Sequence, residues 1–341
     1  MNLDSLLLYS RKRTPSTAQI MQLVLLALIP GTLVMTWYFG AGVLINILWL
    51  TICSAALEAV TLACRQKPLR PALADYSAVV TAVLLALSLP PAVPWWLGLT
   101  GAFFAIVIAK QLYGGLGTNP FNPAMVGYAV LLIAFPVDMT RWILPIGTAE
   151  SLPAFQNILP QFLGQPAETM DAFVGATALD QFKQDRGSLT IAEYWQGNPL
   201  YGALAGQGWE WINVGFLLGG LYLLYRRLIT WHIPFSMLAS LSLLALVFYD
   251  GGSSASHGSP VFHLFSGAAM LGAFFIATDP VTAPATNTGK LYYGALIGIL
   301  VFAMRSTGNY PDGIAFAVLL ANFAAPAIDY GLRNRTTRQT P

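Results

Sequence analysis

One threading of this chain through a bilayer leaves thirteen of its seventeen Lys and Arg residues on a single side. Only Arg141, Lys183, Arg186 and Arg305 fall on the other. Basic residues resist translocation, so the connections that carry them stay cytoplasmic. The asymmetry predicts ten spans, near 18–39, 41–64, 74–89, 95–113, 121–136, 211–229, 232–249, 261–277, 290–304 and 313–332. Both termini are then cytoplasmic, as are Arg65, Lys67, Arg70, Lys110, Arg226, Arg227, Lys290, Arg333, Arg335 and Arg338. One long connection, 137–209, lies outside. Trp37, Trp95, Trp96, Trp142, Trp211 and Trp231 fall at predicted span ends, as interfacial aromatics do.

Composition supports a chain immersed in lipid. Hydrophobic residues make up 56% of it and charged residues 9%, against about 25% charge in soluble domains. The apolar runs lack the two-residue alternation of barrel strands, so the expected fold class is an all-α polytopic bundle. The net charge of +2 is explained by its sidedness and implies no nucleic-acid partner. Arg11, Lys12 and Arg13 precede a full-length span with no small-residue cleavage site after it, which argues against a cleaved signal at residues 1–17. No lipidation motif is present. Two cysteines, Cys53 and Cys64, are too few for a cysteine-ligated iron–sulfur cluster. His232 is placed inside and His257 and His263 outside, so no pair spans a haem.

Five spans precede the long connection and five follow it. Two related halves of five spans each must be inverted. Pro123-Ala-Met-Val-Gly-Tyr-Ala-Val-Leu-Leu-Ile-Ala-Phe135 aligns without gaps on Pro311-Asp-Gly-Ile-Ala-Phe-Ala-Val-Leu-Leu-Ala-Asn-Phe323, with six of thirteen positions identical. Near the same offset Pro91 meets Pro280. Spans 74–89, 121–136 and 290–304 are short for a bilayer about 30 Å thick. Leu89–Pro94, Gly114–Pro123 and Thr278–Gly289, all rich in Pro or Gly, border them. Broken backbone at membrane depth survives only inside protein or beside a cavity. Inverted repeats with interrupted spans point to a site between the halves. The expected domains are a first repeat, 1–136, an outer loop, 137–209, and a second repeat, 210–341.

Three polar residues stand out within the membrane. Glu58 is the one acid well inside a plain apolar span, which makes it a candidate for an ion path; a structural partnership with a broken-helix amide or Lys110 is the alternative. Thr278 and Asp279 sit beside Pro280 in a broken segment. They are either further ion-path candidates or an Asx-type turn and cap. The glycines of Gly114-Gly-Leu-Gly117 lack the ending and strand context of a phosphate loop. Close helix approach, or room for a flat ring, is the expectation there.

The outer loop contains Asp171-Ala-Phe-Val-Gly-Ala-Thr-Ala-Leu-Asp-Gln-Phe-Lys183. A phosphoester needs an accessible hydroxyl, and Gly175 and Ala176 leave room before Thr177 for a bulky ring and a modifying enzyme. The Gly-Ala-Thr run, four residues after Asp171, resembles the acceptor site of periplasmic flavin transferases. Lys110–Met125, Ala273–Thr282 and Tyr310–Asn322 match as well. With these runs the chain resembles, over nearly its whole length, the D-type membrane component of Rnf/Rsx ion-translocating electron-transport complexes. It is more distantly similar to the B-type component of the sodium-pumping NADH:quinone reductase. Val174 departs from the pattern, which usually has a small polar residue there. The resemblance implies a urea-transporter-like fold and FMN esterified to Thr177, with Asp171 recognised by the transferase. It also implies partner subunits, a role coupling ferredoxin/NAD redox chemistry to Na⁺ or H⁺ movement across the bacterial inner membrane, and, by likeness to the quinone-reductase component, a riboflavin in the core. A redox-inert channel or permease for a small solute fits the repeat and the broken spans equally well, but not the acceptor motif. A structural scaffold for flavin-bearing partners is a third reading.

Overall fold

The computed structural model describes residues 15–148, 151–165, 168–188, 190–308, 310 and 312–339. Helix occupies each of the ten apolar segments. Among the described residues the only sheet is a pair of two-residue strands, Trp142–Ile143 and Val174–Gly175. Among the described residues three helices are long and apolar enough to cross a bilayer: Thr17–Phe39, Gly42–Cys64 and Ile314–Asn334. Ser77–Ser88, Trp95–Gln111, Pro123–Ala134 and His232–Val247 are apolar but shorter. The outward faces remain apolar, with Leu33, Trp37, Leu48, Phe235, Leu243 and Phe323 all exposed, as suits contact with lipid tails.

The first helix packs on the helix that follows the outer loop, Trp209–Tyr225. A Cβ placed on Gly215 would lie 2.8 Å from the Gly31 Cα, and one on Gly219 would lie 1.9 Å from the Ala27 carbonyl. Numbers rise along one helix as they fall along the other, so the pair is antiparallel. Ala27-xxx-Gly31 facing Gly215-xxx-Gly219 lets two backbones touch, the small-residue packing of membrane helices. The same device joins His232–Val247 to Asn287–Thr307, where Gly294 and Gly298 admit Ser236 and Ser240.

Three expectations need correction. The segment expected over 290–304 is a full helix, Asn287–Thr307. Thr286 caps its start, and Arg305 is buried and paired inside the protein, so neither end is fixed by charge. The segment 261–277, expected to be continuous, is broken. Pro260–Phe265 ends at Ser266, Gly267 takes a φ of 56°, and helix resumes at Ala269 before turning π-helical over Gly272–Ile276. Side chains satisfy the freed backbone, as they must at membrane depth. Asn213 Nδ2 donates to the carbonyls of Phe265 (3.0 Å) and Gly267 (2.9 Å), while its Oδ1 accepts from Met270 N (3.0 Å). Asp312 Oδ2 accepts from Ala268 N (3.1 Å). Finally, Gly114, Gly115 and Gly117 have positive φ values of 123°, 112° and 92°, with open space beside Gly117. They are required by backbone conformation, not by close helix approach. Pro311 of the aligned repeat lies outside the described residues.

Candidate functional site

Thr177 sits where the short sheet gives way to a helix. Trp142 pairs with Gly175 and Ile143 with Val174. The chain then turns into the Ala178–Asp185 helix, with Thr177 as its N-cap and the Thr177 hydroxyl accepting from Asp180 N at 3.3 Å. Capping of this kind holds a hydroxyl in place. Thr177 is half-buried. Gly175 leaves no room for a ring, because a Cβ there would meet the Leu144 side chain at 2.9 Å. Its smallness serves that packing. Ala176 lines a narrow cleft with Thr177. The Asp171 side chain lies outside the described ones.

Thr177 belongs to the wall of a partly open cavity. Leu87, Ser88, Met125 and Tyr128 from the first half, Ser266, Gly267, Ala268, Ile276, Asp312 and Ile314 from the second, and Trp142 and Trp209 are among the residues that line it. Trp142 and Trp209 stack edge to face at 5.1 Å, and Phe39 packs on both at 5.7 and 5.3 Å. Trp142 is buried and lines the same cavity as Thr177.

The polar wall is charged. Arg305 Nε and Nη2 donate to Asp312 Oδ1 and Oδ2, each at 3.0 Å, and the guanidinium also donates to the carbonyls of His263 (2.7 Å) and Ser266 (3.0 Å). Burial would raise the Asp312 carboxyl, but the Arg305 guanidinium outweighs it and holds that carboxyl below its ordinary range. Nearby, burial raises the Asp180 carboxyl against the opposing pull of Lys183, and burial lowers the Lys183 ammonium against Asp312 and Asp180. The Ser266 hydroxyl is buried with no hydrogen-bond partner.

A second, partly open cavity lies on the opposite side of the same core. It gathers Lys110, Asn119, Asn122, Thr278 and Asp279, between Ser77–Leu84 and Phe274–Pro280. The wall between the cavities is thin: Ala124 and Phe275 face one, Met125 and Ile276 the other. It is pinned by Asn122, which donates from its backbone to Asn322 Oδ1 (3.0 Å) and from Nδ2 to the Ile276 carbonyl (3.2 Å). Thr278 and Asp279 thus meet Lys110 but not Thr177. The Asp279 carboxylate accepts from Val281 N at 3.1 Å, an Asx turn, and the Thr278 hydroxyl donates to the Phe274 carbonyl at 2.7 Å. Glu58 stands behind Lys110 rather than in the cavity. Lys110 Nζ donates to Glu58 Oε1 at 2.6 Å and to Ser77 Oγ at 2.7 Å, and Gln111 Nε2 also donates to Glu58 Oε1 at 2.7 Å. Sequence reasoning missed Trp142, Trp209, Ser266, Asp312 and Arg305 as site residues. The signal available for Asp312 was a carboxylate at the start of an apolar helix.

The family described as NQR2, RnfD, RnfE matches residues 10–338. The chain belongs to that family. Its relatives include proteins named as the D component of an ion-translocating oxidoreductase complex. The one from Pseudomonas aeruginosa strain UCBPP-PA14 is 55% identical over 324 residues, covering 95% of this chain and 92% of the relative. That from Cellvibrio japonicus is 53% identical over 326 residues, covering 94% and 90%. That from Alcanivorax borkumensis is 51% identical over 323 residues, covering 94% and 92%. With this membership and its long apolar helices, the chain is a multi-pass membrane protein.

Proposed function

We propose that this chain is the membrane subunit of an ion-translocating oxidoreductase complex and carries FMN on Thr177. It is part of a translocase whose other subunits supply the remaining redox sites. A periplasmic flavin transferase attaches the FMN, and the complex couples ferredoxin/NAD chemistry to Na⁺ or H⁺ movement. The chain lies in the bacterial inner membrane with both termini cytoplasmic and 137–209 outside. Its ten helical segments form two inverted, urea-transporter-like repeats, 1–136 and 210–341. The antiparallel seam between Ala27–Gly31 and Gly215–Gly219 supports that relation.

The observation that carries the reading is Thr177 on the wall of the outer cavity. The residues present fit the cofactor. The hydroxyl is held by its cap, and Trp142 and Trp209 offer aromatic surface on the cavity wall. The Ser266 hydroxyl supplies a hydrogen-bonding group that nothing among the described residues uses. FMN held there supplies reversible electron uptake. The chain's own residues orient it and keep water from it. The inner cavity, with Asn119, Asn122 and Lys110, suits a second, non-covalent flavin such as riboflavin. Thr278, Asp279 and Glu58 are the ion-path residues on that side. A redox-inert channel would leave the acceptor motif around Thr177 unexplained.

Thr177→Ala tests the assignment. In-gel fluorescence of the denatured wild-type protein should be present and should vanish in the variant, with the protein still inserted. Fluorescence that persists in Thr177→Ala overturns it.

A further inference from the structure

We propose that the Asp312 carboxylate, fixed by Arg305, together with the Ser266 hydroxyl, forms the polar wall against which the Thr177-linked ring is held, and that Asp312 sets its redox potential. The inference rests on the flavin reading above. Both residues line the cavity that Thr177 lines: Ser266 lies in the helix break, and Asp312 accepts from Ala268 N within it.

The two groups act differently. A carboxylate has about four lone-pair sites. Those of Asp312 are taken by Arg305 Nε and Gly313 N on Oδ1 and by Arg305 Nη2 and Ala268 N on Oδ2. Asp312 therefore cannot accept a further hydrogen bond from a ring and acts through its charge. Its side chain remains 17% exposed toward the cavity, while that of Arg305 is fully enclosed behind it. A group in the cavity meets the anion first. The Ser266 hydroxyl has the reverse character: it is uncharged, buried, and without a partner. Leaving a buried hydroxyl without a partner is unfavourable, and that cost disappears when a ring carbonyl meets it.

The consequence for reduction has a definite sign. Taking up two electrons and one proton changes a neutral isoalloxazine to a ring of charge −1. A fixed anion beside the ring in a water-poor cavity opposes that step. Replacing Asp312 by Asn removes the anion and leaves the Arg305 cation unbalanced. Both changes favour the reduced ring, so the midpoint must rise.

The experiment is a dye-mediated redox titration of the covalent flavin in the purified complex, with dithionite as electron donor. Asp312→Asn should retain the flavin on a denaturing gel and raise the reduced-to-oxidised ratio at the wild-type midpoint about tenfold, which is ~30 mV for a two-electron couple. An unchanged midpoint overturns the inference. Should Asp312→Asn fail to assemble, Ser266→Ala decides through the infrared carbonyl bands of the bound ring. A shifted ring-carbonyl band supports the contact, and an unshifted one overturns it. A wild-type protein without covalent flavin would refute the parent reading instead, so the two failures are distinguishable.

Discussion

Lys110 and Glu58 meet at 2.6 Å, each almost fully buried, where the fourth helical segment of the first half ends. Arg305 ends the corresponding segment of the second half and is likewise buried and paired. Lys110 donates to Ser77, the first residue of its neighbouring helix, and Arg305 donates to His263 and Ser266 at the break of the matching one. Each half thus uses one buried cation to tie down its third segment. The acids differ: Glu58 comes from the second helix, Asp312 from the turn before the last.

This pairing bears on ion coupling. Glu58 Oε2 is buried without a hydrogen-bond partner, and Lys110 joins Glu58 to the inner cavity. Glu58→Gln keeps the shape but cannot ionise. It should preserve covalent flavin while lowering the number of ions moved per electron in reconstituted vesicles. Breaking a buried pair also costs about 3–5 kcal/mol, so the variant should melt earlier, and Lys110→Met in the same chain should restore most of that loss. An unchanged ion-to-electron ratio in an assembled complex would make Glu58 a structural partner of Lys110 only.

The seam between the halves can be tested by volume. Gly219→Val places a side chain where the Ala27 carbonyl already sits. Overpacking costs about 1–3 kcal/mol, and more when backbone must move. We expect a broadened or aggregated profile in detergent size-exclusion and a lower melting temperature. Gly331→Ala, with nothing within 4 Å of its added Cβ, should behave as wild type. Equal behaviour of the two variants would contradict a close-packed seam.

The proposed topology rests on the basic residues and is accessible to labelling. In a Cys64→Ser background, a cysteine at exposed Gln165 should react with an impermeant thiol reagent once the outer membrane is permeabilised. A cysteine at exposed Arg333 should not. The reverse pattern would invert the whole arrangement.

Much of this architecture was legible because lipid simplifies the problem. Apolar runs bounded by charge marked the helical segments, and the segments 74–89 and 121–136 are short helices as expected. The break at Ser266–Gly267 was not legible. Its sequence is apolar, and its stability depends on Asn213, Arg305 and Asp312 arriving from distant helices. For the same reason Arg305 read as a loop cation although it is buried. The outer loop's role at the site was half legible. The Thr177 motif lies in one run, but Trp142 and Trp209, which wall its cavity, come from its two ends. The small-residue spacing of Gly215 and Gly219 was present in the sequence and is what brings the halves into contact.

The central claim is that Thr177 carries the flavin, and peptide mass spectrometry of the protein purified from its native membrane addresses it directly. The account predicts that the peptide containing Thr177 carries the mass of one FMN joined with loss of water, with fragment ions placing it on that threonine. An unmodified Thr177 peptide from an assembled, active complex would contradict it.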